Sequence, residues 1–102
     1  MEMTTEREAW ILEGAIDKYG AAAQIDVAIE EMAELTKALM KWRRAGENGT
    51  LIVKHEAAVL EEMADVQIML NQLALIYGDA NEWEIRKLER LEARLRAAGV
   101  DV

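Results

Sequence analysis

Apolar positions recur every three or four residues along this chain, and glycines divide the pattern into four segments. The first runs from about Thr5 to Tyr19. Thr5 and Glu8 have the spacing of a capping box, and Gly20 suits a helix C-terminus. The second runs from about Ala22 to Arg44, with Ile25, Ile29, Met32, Leu35 and Leu39 as its apolar stripe and Gly46 placed to end it. Residues 46–50, Gly-Glu-Asn-Gly-Thr, have the composition of a mobile loop. The third segment starts near Ile52 or Lys54 and ends at Tyr77, before Gly78; its stripe is Val59, Met63, Val66, Leu70, Leu73 and Tyr77. After a short turn, Asn81 with Glu84 is expected to cap a fourth helix. That helix reaches about Ala98, ahead of Gly99, with Trp83, Ile85, Leu88, Leu91 and Leu95 apolar. The pattern predicts an all-α protein. Its short loops predict antiparallel neighbours in a four-helix bundle-like fold.

Composition supports helices and narrows function. The chain has 102 residues, no proline and no phenylalanine, so residues 1–102 read as a single domain. A core this small leaves much surface exposed, and oligomerisation is one way to cover it. The net charge of −8 argues against nucleic acid or an anionic membrane surface as a partner, since both require basic patches. Without cysteine there is no disulfide or thiolate metal site. No apolar run approaches the ~20 residues of a membrane span, and Met1 to Arg7 lacks a signal-peptide pattern. The expectation is a cytoplasmic protein.

One pentapeptide nearly repeats. Residues 30–34 read Glu-Glu-Met-Ala-Glu and residues 61–65 read Glu-Glu-Met-Ala-Asp, each inside a long predicted helix. Side chains at i and i+3 share a helix face, about 5–6 Å apart at Cβ. Glu31 and Glu34 therefore project together, as do Glu62 and Asp65, and two antiparallel helices bring the four carboxylates to one place. Ala33 and Ala64 are small enough to let the helices approach. Clustered carboxylates repel unless a cation neutralises them, and oxygen ligands select magnesium, manganese or calcium. A single E-x-x-E on a solvated face is ordinary; two such pairs in near-identical surroundings are not. Glu30 and Glu61 fit either a surface or an outer-ligand role. A di-iron bundle would need E-x-x-H pairs, and His55, the only histidine, has Ile52 three residues before it.

The paired motifs Glu31-x-x-Glu34 and Glu62-x-x-Asp65 resemble those of the MazG-like, all-α nucleoside triphosphate pyrophosphohydrolases. The run Asp65–Leu73 looks like the apolar continuation of the family's E-x-x-D helix, and Tyr19–Glu31 and Lys87–Leu95 look like small phage and bacterial members. The resemblance implies hydrolysis of a nucleoside triphosphate to monophosphate and pyrophosphate. It further implies magnesium, with manganese as a substitute, held by Glu31, Glu34, Glu62 and Asp65. It also implies a homodimer or a dimer of dimers. The chain is shorter than tandem-domain members and the related dimeric dUTPases, and lacks their base-covering helices.

A triphosphate also needs positive and base-contacting groups. Lys41, Arg43 and Arg44 cluster at the end of the second helix, where they equally complement its dipole. Lys87, Arg90 and Arg94 line the fourth helix, and Lys87 and Arg90 fit the family pattern. Trp42 suits stacking on a base, or packing in a core or dimer interface. Gln24, Asn71 and Gln72 are amides on apolar stretches that require partners. Met32, Met63 and Met69 are expected in the core. The candidate substrate-binding set is thus Lys41, Trp42, Lys87, Arg90, Gln24 and Asn71. The alternative to an enzyme is a helical interaction module, oligomeric and non-catalytic, or a nucleotide-binding module without turnover.

Overall fold

The computed structural model describes residues 3–45 and 49–102, and these form four α-helices with no strand among them. They are α1 (Thr5–Tyr19), α2 (Ala21–Ala45), α3 (Gly49–Tyr77) and α4 (Asn81–Ala97). The all-helical expectation holds, and the helix ends refine it. The N-cap of α1 is Thr4, whose side chain accepts from the Arg7 N–H at 3.1 Å, one residue ahead of the expected Thr5. Gly20 and Gly78 follow α1 and α3 at φ 92° and 102°, where a Cβ would be strained. The third helix begins at Gly49, so Gly49 and Thr50 are helical rather than loop. The proposed stop at Gly46 lies outside the described residues. Asn81 does not cap α4: its own N–H is the donor, and the Asp79 carboxylate accepts it at 3.1 Å.

Only three residues separate α2 from α3, and the two pack along their length, which makes them an antiparallel hairpin. The seam is heptad-spaced. On α2 it runs Gln24, Ala28, Glu31, Leu35, Ala38; on α3 it runs His55, Val59, Glu62, Val66, Met69, Leu73, Ile76. All of these are buried or half-buried. Ala28 and Ala38 are small residues at the contact, and Met69 fills it from the other side. Helix α1 packs on both members of the hairpin, burying Leu12, and the Asn71 amide of α3 donates to the Glu8 carboxylate of α1 at 2.8 Å.

Two expectations change. The predicted stripes of α2 and α3 meet only in part: Leu35, Val59, Val66 and Leu73 lie in the seam, whereas Ile29 is 61 % exposed and Met63 51 %, and Met32, Leu39 and Leu70 are exposed as well. Of the three methionines expected in the core, only Met69 is there. The second change concerns α4, which packs on no other helix of its chain among the described residues. The packed unit is a three-helix assembly from which α4 projects. The radius of gyration, 17.4 Å, exceeds the roughly 13 Å of a compact chain this long.

Candidate metal centre

The heptad seam itself carries carboxylates. Glu31 takes a seam position on α2 and Glu62 takes one on α3, so packing the hairpin brings both between the helices. Asp65 follows Glu62 by three residues on the same face. Each of Glu31, Glu62 and Asp65 offers an oxygen, and the three oxygens lie within 4.8 Å of one another. All three residues are half-buried. Ala33 and Ala64, expected to permit this approach, are exposed; Ala28 and Ala38 permit it instead.

The electrostatics are one-sided. The Glu31 carboxyl is raised above its ordinary 4.5, first by burial, then by the charges of Asp65, Glu62 and Glu34, and by a side-chain hydrogen bond with Asp65. Glu62 is raised first by burial and then by Asp65, Glu34 and Glu61. Glu62 Oε2 is buried with no hydrogen-bond partner among the described residues. A buried carboxylate oxygen without a donor is costly, and the cost falls if the group binds a proton or a cation.

Glu34 is not in the triad. It is exposed at the margin, 3.9 Å from Lys37 Nζ, yet close enough for its charge to act on Glu31 and Glu62. The cluster is thus three inner carboxylates and one outer, where the sequence suggested four equivalent ones.

The expected substrate-contacting residues are scattered. Lys41 is exposed near the end of α2. Trp42 lines an apolar groove of about 400 Å³ with Leu39, Glu56, Val59 and Leu60, the last two within one turn of Glu62 on α3. Gln24 and Gln72 are buried in the helix packing, and Gln72 Oε1 has no partner among the described residues. Asn71 is half-buried and engaged on both sides, donating to Glu8 and accepting from Gln67 Nε2 at 3.0 Å. Lys87 and Arg90 lie on α4, which reaches neither α2 nor α3. Sequence spacing gave no sign of Glu8 as a partner of Asn71, since 63 residues separate them.

Comparison with family models, with curated proteins and with solved structures finds no match for this chain.

Proposed function

We propose that this chain is a magnesium-dependent nucleoside triphosphate pyrophosphohydrolase, converting a ribo- or deoxynucleoside triphosphate to its monophosphate and pyrophosphate in cytoplasmic nucleotide-pool control. The observation that carries this reading is the convergence of Glu31, Glu62 and Asp65 with one buried Glu62 oxygen bare. The motif resemblance to MazG-like enzymes supplies the reaction.

The donor set fits a hard divalent cation. It is all oxygen and anionic, and it sits in a half-buried seam that weakens solvent screening. Glu31, Glu62 and Asp65 would hold magnesium, or manganese in its place. Such an ion supplies screening of the polyphosphate charge and polarisation of water. The protein's own part is to aim these carboxylates at one point, which the heptad packing does; burial and mutual repulsion raise Glu31 and Glu62, and a cation would offset that. Glu34, outside the triad and open to solvent, would take the proton released when water attacks phosphorus. The apolar groove beside Trp42 offers a flat surface for a base.

Pyrophosphate release from a panel of ribo- and deoxynucleoside triphosphates, with magnesium and with chelator, tests the reading. Magnesium-dependent release of pyrophosphate and monophosphate is expected, and Glu34→Gln should abolish it without loss of helical signal. No turnover on any substrate, with no effect of magnesium on Tm, would leave the cluster without a catalytic role.

A further inference from the structure

The α2 half of the carboxylate cluster continues past its acids. Glu31, Glu34 and Lys37 follow at intervals of three, a single row along the helix surface. The row starts half-buried at Glu31 in the seam and climbs into solvent at Glu34 and Lys37. Lys37 Nζ lies 3.9 Å from Glu34 Oε1, and the charge of Glu34 reaches both Glu31 and Glu62. Side chains on a helix lean toward its N-terminus, over the turn that precedes them. Lys37 therefore leans back over the turn of the acidic motif. Lys41 leans over the next turn along, and Arg43 and Arg44 stand in the last turn of α2, about 9 Å or more beyond Lys37.

Among the described residues, Lys37 is the only cation paired with a carboxylate of either motif. The cations of α4 do not share this place, since α4 packs on neither helix of the hairpin.

As a structural element the pair is weak. Its side chains are 63 % and 52 % exposed, and an exposed lysine–carboxylate pair contributes little to stability. A weak pair gives up its cation readily when a stronger acceptor arrives. A divalent ion offsets two of the cluster's negative charges, and a polyphosphate brings several more. Its oxygens are acceptors for an ammonium, a compact charge with three donors on a flexible stem. Lys37 holds such an ammonium at the margin of the triad.

We propose that Lys37 is a phosphate-binding residue of this site: its ammonium rests on Glu34 in the free protein and passes to the polyphosphate of a bound nucleotide, leaving Glu34 unpaired beside the triad. The proposal rests on the function proposed above. Arrival of the phosphates and release of the Glu34 carboxylate are then one event. An empty site keeps that carboxylate engaged with Lys37.

Calorimetric titration with a non-hydrolysable nucleoside triphosphate analogue, in magnesium, tests this without turnover. Lys37→Gln should weaken binding about tenfold or more, as loss of a charged hydrogen bond does. Lys37→Arg keeps the charge and should restore most of it. Lys18→Gln, on α1, makes the same change in net charge and should bind as the wild type does. Stabilisation by magnesium alone should persist in Lys37→Gln, because the ammonium is not a ligand of the ion. Glu34→Gln removes the resting partner of Lys37 and should tighten analogue binding, by more in a chain that keeps Lys37 than in one carrying Lys37→Gln. If Lys37→Gln binds the analogue as Lys18→Gln does, the assignment is overturned. Equal tightening by Glu34→Gln in both backgrounds overturns the transfer from carboxylate to phosphate. A wild type that hydrolyses triphosphates, with Lys37→Gln unimpaired, keeps the enzymatic reading and removes Lys37 from it. A wild type that neither binds the analogue nor hydrolyses any triphosphate removes both.

Discussion

Glu31 on α2 and Glu62 on α3 occupy facing positions of one helical seam, places that in most helix pairs hold Leu or Ile, and their carboxyl oxygens come within 4.8 Å. After burial, the charges of Asp65 and Glu62 raise the Glu31 carboxyl, and the charge of Asp65 raises that of Glu62. Replacing one charge should therefore relieve the metal-free protein. Glu62→Gln is expected to raise Tm in chelator and to lose the stabilisation by magnesium or manganese along with turnover. Thermal melts with and without each ion read both effects. A variant still stabilised by the ion as strongly as the wild type would remove Glu62 from the ligand set.

The same two carboxyls set a pH dependence. Both hold their proton more tightly in the folded chain than their ordinary 4.5. Between 4.5 and the raised folded values the native state binds more protons than the unfolded one, so their contribution to stability falls as pH rises. It is full below that window and lost above it. Urea unfolding in chelator should show this slope, and Glu31→Gln with Glu62→Gln should flatten it. Added magnesium should act most where the carboxylates are ionised, above the window.

The Asn71–Glu8 hydrogen bond ties α1 to α3 across 63 residues of sequence. Its acceptor is a carboxylate but its surroundings are only half-buried. Asn71→Ala should cost about 1 kcal/mol. Hydrogen exchange should quicken in α1 more than in the α2–α3 hairpin. Equal loss of protection in both would mean that α1 is not separately anchored.

Gln72 is 4 % exposed and its Oε1 has no partner among the described residues. Gln72→Met keeps the volume and removes the unpaired oxygen, and should stabilise the chain by about 1 kcal/mol. Chemical denaturation measures this directly. A loss of stability would show that the amide has a partner in solution that packing of the chain alone does not provide.

Helix number, helix type and the paired acidic motifs were all legible in the sequence, because glycine placement and i, i+3 spacing act locally. The facing of the helices was not. The residues between α2 and α3 include Gln24, Ala28, Glu31 and Ala38, which have little hydrophobic contrast, while the eye-catching stripe of Ile29, Met32 and Leu39 points outward. Periodicity finds the most apolar face of a helix, not the face that its own chain covers. For the same reason α4 looked like a bundle member: an amphipathic helix has the same pattern whichever chain buries it. Within the site, spacing placed Glu31, Glu62 and Asp65 correctly on a shared face. The outward position of Glu34 depends on helix rotation about the seam, which those neighbouring small residues decide.

Ala28 and Ala38 touch none of the chemistry, yet they act as its calliper. Their methyl groups fix how near two helix axes come, and that separation sets the width of the space between carboxylates projecting from opposite sides. A larger residue at either place would lengthen every span across the seam at once, changing the size of whatever the carboxylates can jointly grip while leaving each of them intact.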